Sequence, residues 1–245
     1  MRRVKCKIAY DGTHFAGWQV QPGQRTVQSC LEDALEKIHK GKKTKVTASG
    51  RTDSTVHAYG QVVHFDTPLA VPEDKWSQAL TPFLPRDIQV KEAEYVEGGF
   101  HARYGAKEKE YRYRVLTGPA KDVFRRHYTY YVPDQLDINA MREAVSQTIG
   151  RHDFSSFCAA NTDVVDKVRT IFKAEVLQEG DELIFVFRGN GFLYNMVRIL
   201  VGTLLEVGKG KRSPESVGAA IRACDREAAG PTVPGHGLFL WEVVY

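Results

Sequence analysis

An α+β fold with a mixed, mainly antiparallel sheet is the class this sequence predicts, and three observations predict it. Runs with the two-residue period of half-buried strands outnumber runs with helical period. The two kinds do not alternate strictly, as a parallel βαβ fold would require. Apolar residues make up 42% of 245 residues, enough for a large core in one big domain or two joined lobes.

The elements follow in order. Val4, Cys6, Ile8 and Tyr10 alternate with Arg3, Lys5 and Lys7, the pattern of a strand with one buried face. Thr26 is placed to cap a helix whose apolar stripe is Val27, Cys30, Leu31, Ala34, Leu35 and Ile38, with Gly41 as its stop. Strand-like runs recur at 45–49, 61–65 and 88–96, and a short helical piece near 74–80 ends at Pro82. In the run 109–115, Lys109, Tyr111, Tyr113 and Val115 share one face, so two tyrosines project together. Asp137 caps a second helix with Ile138, Met141, Val145 and Ile149 as its stripe and Gly150 as its terminator. Strands are expected at 171–177 and 183–188, then a long apolar helix over 192–207. Ser213-Pro214-Glu215 opens another helix, and 238–244 closes the chain as a strand.

Charge and cysteines bound the function classes. A net charge of +4 is only mildly basic, but its distribution is uneven: Lys40, Lys42, Lys43 and Lys45 form one cluster, Arg125-Arg126-His127 a second, and Lys209, Lys211 and Arg212 a third. Each alone reads as a solvated loop; three beside aromatic segments suit a groove that tracks phosphates. The four cysteines, at positions 6, 30, 158 and 224, have no close paired spacing and read as reduced core residues rather than a zinc or redox site. The basic start Met1-Arg2-Arg3 has no long apolar run behind it, and no segment approaches the ~20 apolar residues of a membrane span. A cytoplasmic protein without a membrane partner is expected.

Three features carry chemistry. In Ala48-Ser49-Gly50-Arg51-Thr52-Asp53-Ser54-Thr55-Val56-His57-Ala58, a polar turn sits between two strands. Asp53 there either serves the turn alone, accepting a nearby backbone N–H, or is a rigidly held reactive carboxylate with Arg51 as counter-charge. His57 is placed to brace that loop. In the helix at 192–207, Gly191, Asn195, Arg198, Gly202 and Glu206 form a small or polar stripe. Arg198 on that stripe needs a partner: Glu206, a carbonyl, or Asp53, whose ionised form it would favour. Tyr111, flanked by Lys107, Lys109, Arg112 and Arg114, is either a core aromatic or a platform for a stacked base. Rival sites fail. Gly202 to Gly208-Lys209-Gly210 has the wrong spacing for a phosphate loop, and the eight histidines show no metal motif.

Gly50-Arg51-Thr52-Asp53 with Val56-His57-Ala58 resembles the catalytic loop of the TruA family of tRNA pseudouridine synthases. The likeness runs on through Tyr10-Asp11-Gly12-Thr13, Phe15, Gly17-Trp18-Gln19, Arg25-Thr26-Val27-Gln28, Leu84-Pro85-Arg86-Asp87-Ile88, Phe100-His101-Ala102-Arg103, Lys109-Glu110-Tyr111-Arg112-Tyr113, Gly191-Phe192-Leu193, Met196-Val197-Arg198 and Pro234 with His236-Gly237-Leu238. In one departure Thr55 stands where the family has Gly, and a positive φ there would strain a β-branched residue. The resemblance implies a pseudouridine synthase fold of two α/β halves, 1–105 and 106–245, sharing a mixed, mainly antiparallel sheet with the active cleft between them. It implies Asp53 as nucleophile, Arg51 and Arg198 as its electrostatic partners, and Tyr111 stacked on the flipped uracil. The implied substrate is uridine 38, 39 or 40 of the tRNA anticodon stem-loop, and the implied assembly is a homodimer. The isomerisation involves no redox change, hydrolysis or energy input, so no cofactor and no metal are expected. A non-catalytic RNA-binding or RNA-folding protein, or a synthase with another RNA target, are the alternatives.

Overall fold

The computed structural model of the chain describes residues 1–159 and 164–245. It groups into two compact units, Met1–Lys107 with Phe239–Tyr245, and Glu108–Leu238. The last strand therefore groups with the first unit, not with the segment that precedes it.

In the first unit, β1 (Arg2–Tyr10) lies between β4 (Ile88–Val96) and β3 (His57–Thr67), antiparallel to both. The short β2 (Thr47–Ala48) pairs with β3, and β10 (Leu238–Val244) runs parallel to it through Phe239 opposite His57. The alternation read from the sequence is the burial observed: Val4, Cys6, Ile8 and Tyr10 are all buried. Helix α1 (Val27–Ile38) starts at Thr26, whose side chain accepts from Ser29 N–H in a capping box, and buries Val27, Leu31, Ala34 and Leu35. The 74–80 piece is a 3-10 turn followed by α2 (Trp76–Leu80), whose Trp76 meets Phe65 of β3 edge-on at 5.4 Å. Each such apolar side chain removed from water contributes about 1.5–3 kcal/mol.

In the second unit, β5 (Glu108–Leu116), β9 (Glu182–Gly189), β8 (Val168–Glu179) and β7 (Gly150–Asp153) pair antiparallel in that spatial order, and β6 (Tyr130–Tyr131) runs parallel to β5. The helices are α3 (Ile138–Ser146), α4 (Met196–Gly208) and α5 (Ser216–Ala223). Both units thus carry mixed, mainly antiparallel strands with helices, the α+β class expected.

The structure corrects several details. α3 ends at Ser146, because Ile149 is 45% exposed and Gly150, at φ 112°, already opens β7. α4 starts at Met196 rather than 192, since Asn195 has left-handed backbone (φ 62°) that an α-helix cannot contain. Of the cysteines only Cys6 and Cys158 are buried, and Cys224 is exposed. Two of the three basic clusters are largely neutralised from within. Arg125 pairs with Asp122, Asp181 and Glu182, Lys209 with Asp134, and Arg212 with Glu206. Lys40, Lys42, Lys43 and Lys45 are exposed.

Candidate active site

The loop between β2 and β3 carries Asp53, half-buried, and it is held by a second loop formed by residues 11–18. Trp18 N–H donates to Thr52 O at 2.9 Å, and Thr55 N–H donates to Phe15 O at 3.3 Å. Thr52, itself buried, shares a 2.7 Å hydrogen bond with the Tyr10 hydroxyl. Burial pushes the Tyr10 hydroxyl up to about 12, so it stays protonated in that bond at neutral pH. Within the loop, Val56 N–H donates back to Asp53 O at 3.2 Å. Gln61 ties the near end down, donating to Gly50 O and accepting from the Ser49 hydroxyl.

Two glycines make this approach possible. A Cβ on Gly17 would stand 2.8 Å from Thr52 O and 3.2 Å from the carbonyl carbon of Asp53; one on Gly12 would stand 2.1 Å from Val56 O. Gly12 N–H donates to His57 Nδ1 at 2.9 Å, and the His57 ring stacks on Phe239 at 4.6 Å, so the histidine braces the loop as expected. Behind the second loop, Arg25 lies over the Phe15 ring and forms a bidentate pair with Asp87 at 2.8 Å. The segments around Tyr10, Gly17, Arg25 and Asp87 are thus one scaffold for the Asp53 loop.

Arg51 is exposed and makes no hydrogen bond or ion pair among the described residues. Thr55 has φ 65°, the strained region its position predicted. In the second unit, Arg198 on α4 is half-buried. Its Nε donates to Val233 O at 2.8 Å and its Nη1 to Asn195 Oδ1 at 2.6 Å. Glu206 is not its partner, being taken by Arg212. The small stripe of α4 is where residues 230–233 lie: Gly202 faces Pro231 O, and Gly230 N–H donates to the Thr203 hydroxyl. Tyr111 on β5 is 9% exposed and meets the edge of Phe192 at 5.1 Å and 82°. Tyr113 is fully buried, with its hydroxyl on Pro234 O, and serves the core. No group of three or more histidines, cysteines or carboxylates could hold a metal among the described residues.

Residues 7–105 and 144–245 match the family described as tRNA pseudouridine synthase. The chain belongs to that family. Relatives agree along its whole length. The tRNA pseudouridine synthase A of Anoxybacillus flavithermus is 60% identical over 245 residues, covering 100% of this chain and 99% of that one. That of Halalkalibacterium halodurans is 63% identical over 97% of this chain and 90% of its own. The tRNA pseudouridine synthase A 1 of a Bacillus cereus strain is 58% identical over 100% and 99%. This synthase is accordingly an isomerase. Arg51, Asp53 and Arg198 fall inside the ranges matched to the family, and Tyr111 between them. Phe192 stands in the family-like Gly191-Phe192-Leu193 and Asn195 on the polar stripe with Arg198, but neither has a role in the site from sequence alone; their contacts with Tyr111 and Arg198 supply it.

Proposed function

We propose that this synthase isomerises uridines 38, 39 and 40 of the tRNA anticodon stem-loop with Asp53 as its nucleophile. The observation that carries the proposal is the fixing of the Asp53 loop from outside itself, by Trp18, Phe15, Gly12 and Gly17. A loop serving only as a turn needs no such cradle, whereas a nucleophile must be held in one geometry. The reaction breaks C1′–N1, rotates the uracil and joins C1′ to C5. One proton leaves C5 and N1 ends protonated, so atoms and electrons balance without a co-reactant. Asp53 attacks C1′ or C6, and either attack needs the carboxylate ionised. Arg51 and Arg198 supply positive charge to the reacting groups, and Arg51, being exposed, is open to an incoming nucleotide. Tyr111, held edge-on by Phe192, stacks on the flipped base. The proposal includes a homodimer, one tRNA touching both subunits, and a cytoplasmic location. No helix among the described residues is long and apolar enough to cross a membrane.

Tritium release from a tRNA transcript labelled at uracil C5 tests the reading. The wild type is expected to release label from those three positions, and Asp53→Asn to lower kcat at least ~10³-fold while still binding tRNA. Binding without release by the wild type would support the RNA-binding alternative, and release from other uridines a different target.

A further inference from the structure

α4 begins at an asparagine that does not act as a cap. Asn is a preferred N-cap because, from an extended backbone, its side chain accepts an N–H of the first turn. Asn195 has φ 62° and ψ 5° and makes no such bond. Its Oδ1 instead accepts from Arg198 Nη1 at 2.6 Å, one turn along the helix. The left-handed backbone is costly for any residue but glycine, and Asn tolerates it better than most. Here it turns the side chain away from the helix end and onto the guanidinium. With Val233 O taking Nε, two acceptors engage different atoms of one planar group, which fixes its plane as well as its position.

We infer that Asn195 is a positioning residue for Arg198, setting the orientation in which that arginine acts in catalysis. The inference rests on the catalytic role proposed for Arg198. It accounts for an uncapped helix start and a left-handed backbone at the same residue. It also separates orientation from substrate binding. Asn195 acts through Arg198, so its loss falls on kcat.

The test is steady-state tritium release from C5-labelled tRNA, with rates per folded protein, for four variants. Asn195→Gly keeps the left-handed backbone and removes only the amide; it is expected to lower kcat about 10- to 100-fold with KM within about 2-fold. Asn195→Asp keeps both the acceptor and the backbone preference and is expected within about 3-fold of the wild type. Asn195→Gly combined with Arg198→Ala is expected to be no slower than Arg198→Ala alone. Wild-type kcat for Asn195→Gly beside an impaired Arg198→Ala would overturn the inference, as would losses that multiply in the double variant. A wild-type kcat for Arg198→Ala would instead remove the reading of Arg198 on which the inference stands.

Discussion

Thr55 shows how one residue can work against its own loop. Its φ of 65° brings a β-branched side chain toward the backbone, at a cost of about 1–2 kcal/mol. The hydrogen bond from its N–H to Phe15 O and the return of Val56 N–H to Asp53 O hold it there. Thr55→Gly is therefore expected to raise stability by about 0.5–1 kcal/mol, part of the relief being offset by the greater freedom of glycine in the unfolded chain. Urea unfolding checks it, and a less stable variant would show that the threonine makes a compensating contact. His64 gives a residue-scale prediction in pH. Burial, with Arg3 and His101 adding to it, lowers its pKa to about 4, and its Nδ1 accepts from Ala102 N–H. The unfolded chain takes up this proton near pH 6.5, the folded chain only near 4. Stability from the neutral ring is thus complete above the upper value and lost as pH falls through that window. His64→Asn, which retains an acceptor for Ala102, is expected to flatten the loss between pH 7 and 4.5 by on the order of 1–3 kcal/mol. Equal losses in both proteins would refute it. The strain at Thr55 was legible because the motif placed it where glycine belongs; the burial of His64 was not, because it depends on a segment almost forty residues away.

At the scale of elements, α4 sets helix propensity against packing. Alanine is better than glycine inside a helix by about 1 kcal/mol, so propensity alone favours Gly202→Ala. A Cβ there would stand 1.8 Å from Pro231 O, which is backbone and cannot swing aside. Overpacking wins. The variant is expected to be less stable by about 2 kcal/mol or more, read as a lower melting temperature, and an unchanged or higher one would show that residues 230–233 move freely. The same helix shows what hydrophobic period can and cannot locate. The stripe of α4 and its lone arginine were readable, but Phe192 and Leu193 continue the apolar pattern beyond the true start, which Asn195 decides by backbone conformation. α3 overshoots in the same way at Ile149. β6 and β7 are short, and their pairing depends on partners distant in sequence, so no local alternation marks them. The Asp53 loop was legible as a motif. Its cradle was not, since contacts from Gly12, Phe15, Gly17 and Trp18 join loops whose approach no local pattern encodes.

For the whole molecule the relevant quantity is where charge remains after internal pairing. A net charge of +4 on 245 residues is small for a protein that acts on a polyanion. Arg125 spends its charge on three carboxylates, and Lys209 and Arg212 on one each. Lys40, Lys42, Lys43 and Lys45 are exposed around the end of α1, within the unit that carries Asp53. If these lysines meet tRNA phosphates, each contact releases counterions and adds about 0.7–0.9 to the slope of log affinity against log salt. Replacing Lys42, Lys43 and Lys45 together by alanine is then expected to raise KM for tRNA several-fold and to lower that slope by roughly 2, with kcat at saturating tRNA unchanged. Lys40 is left in place because its φ of 54° ends the helix and its loss would mix a backbone effect with a charge effect. KM measured across a salt series separates the outcomes. An unchanged slope would make the cluster a solvated loop and move the phosphate contacts elsewhere. A fall in kcat instead would mean that the lysines help orient the bound tRNA as well as attract it.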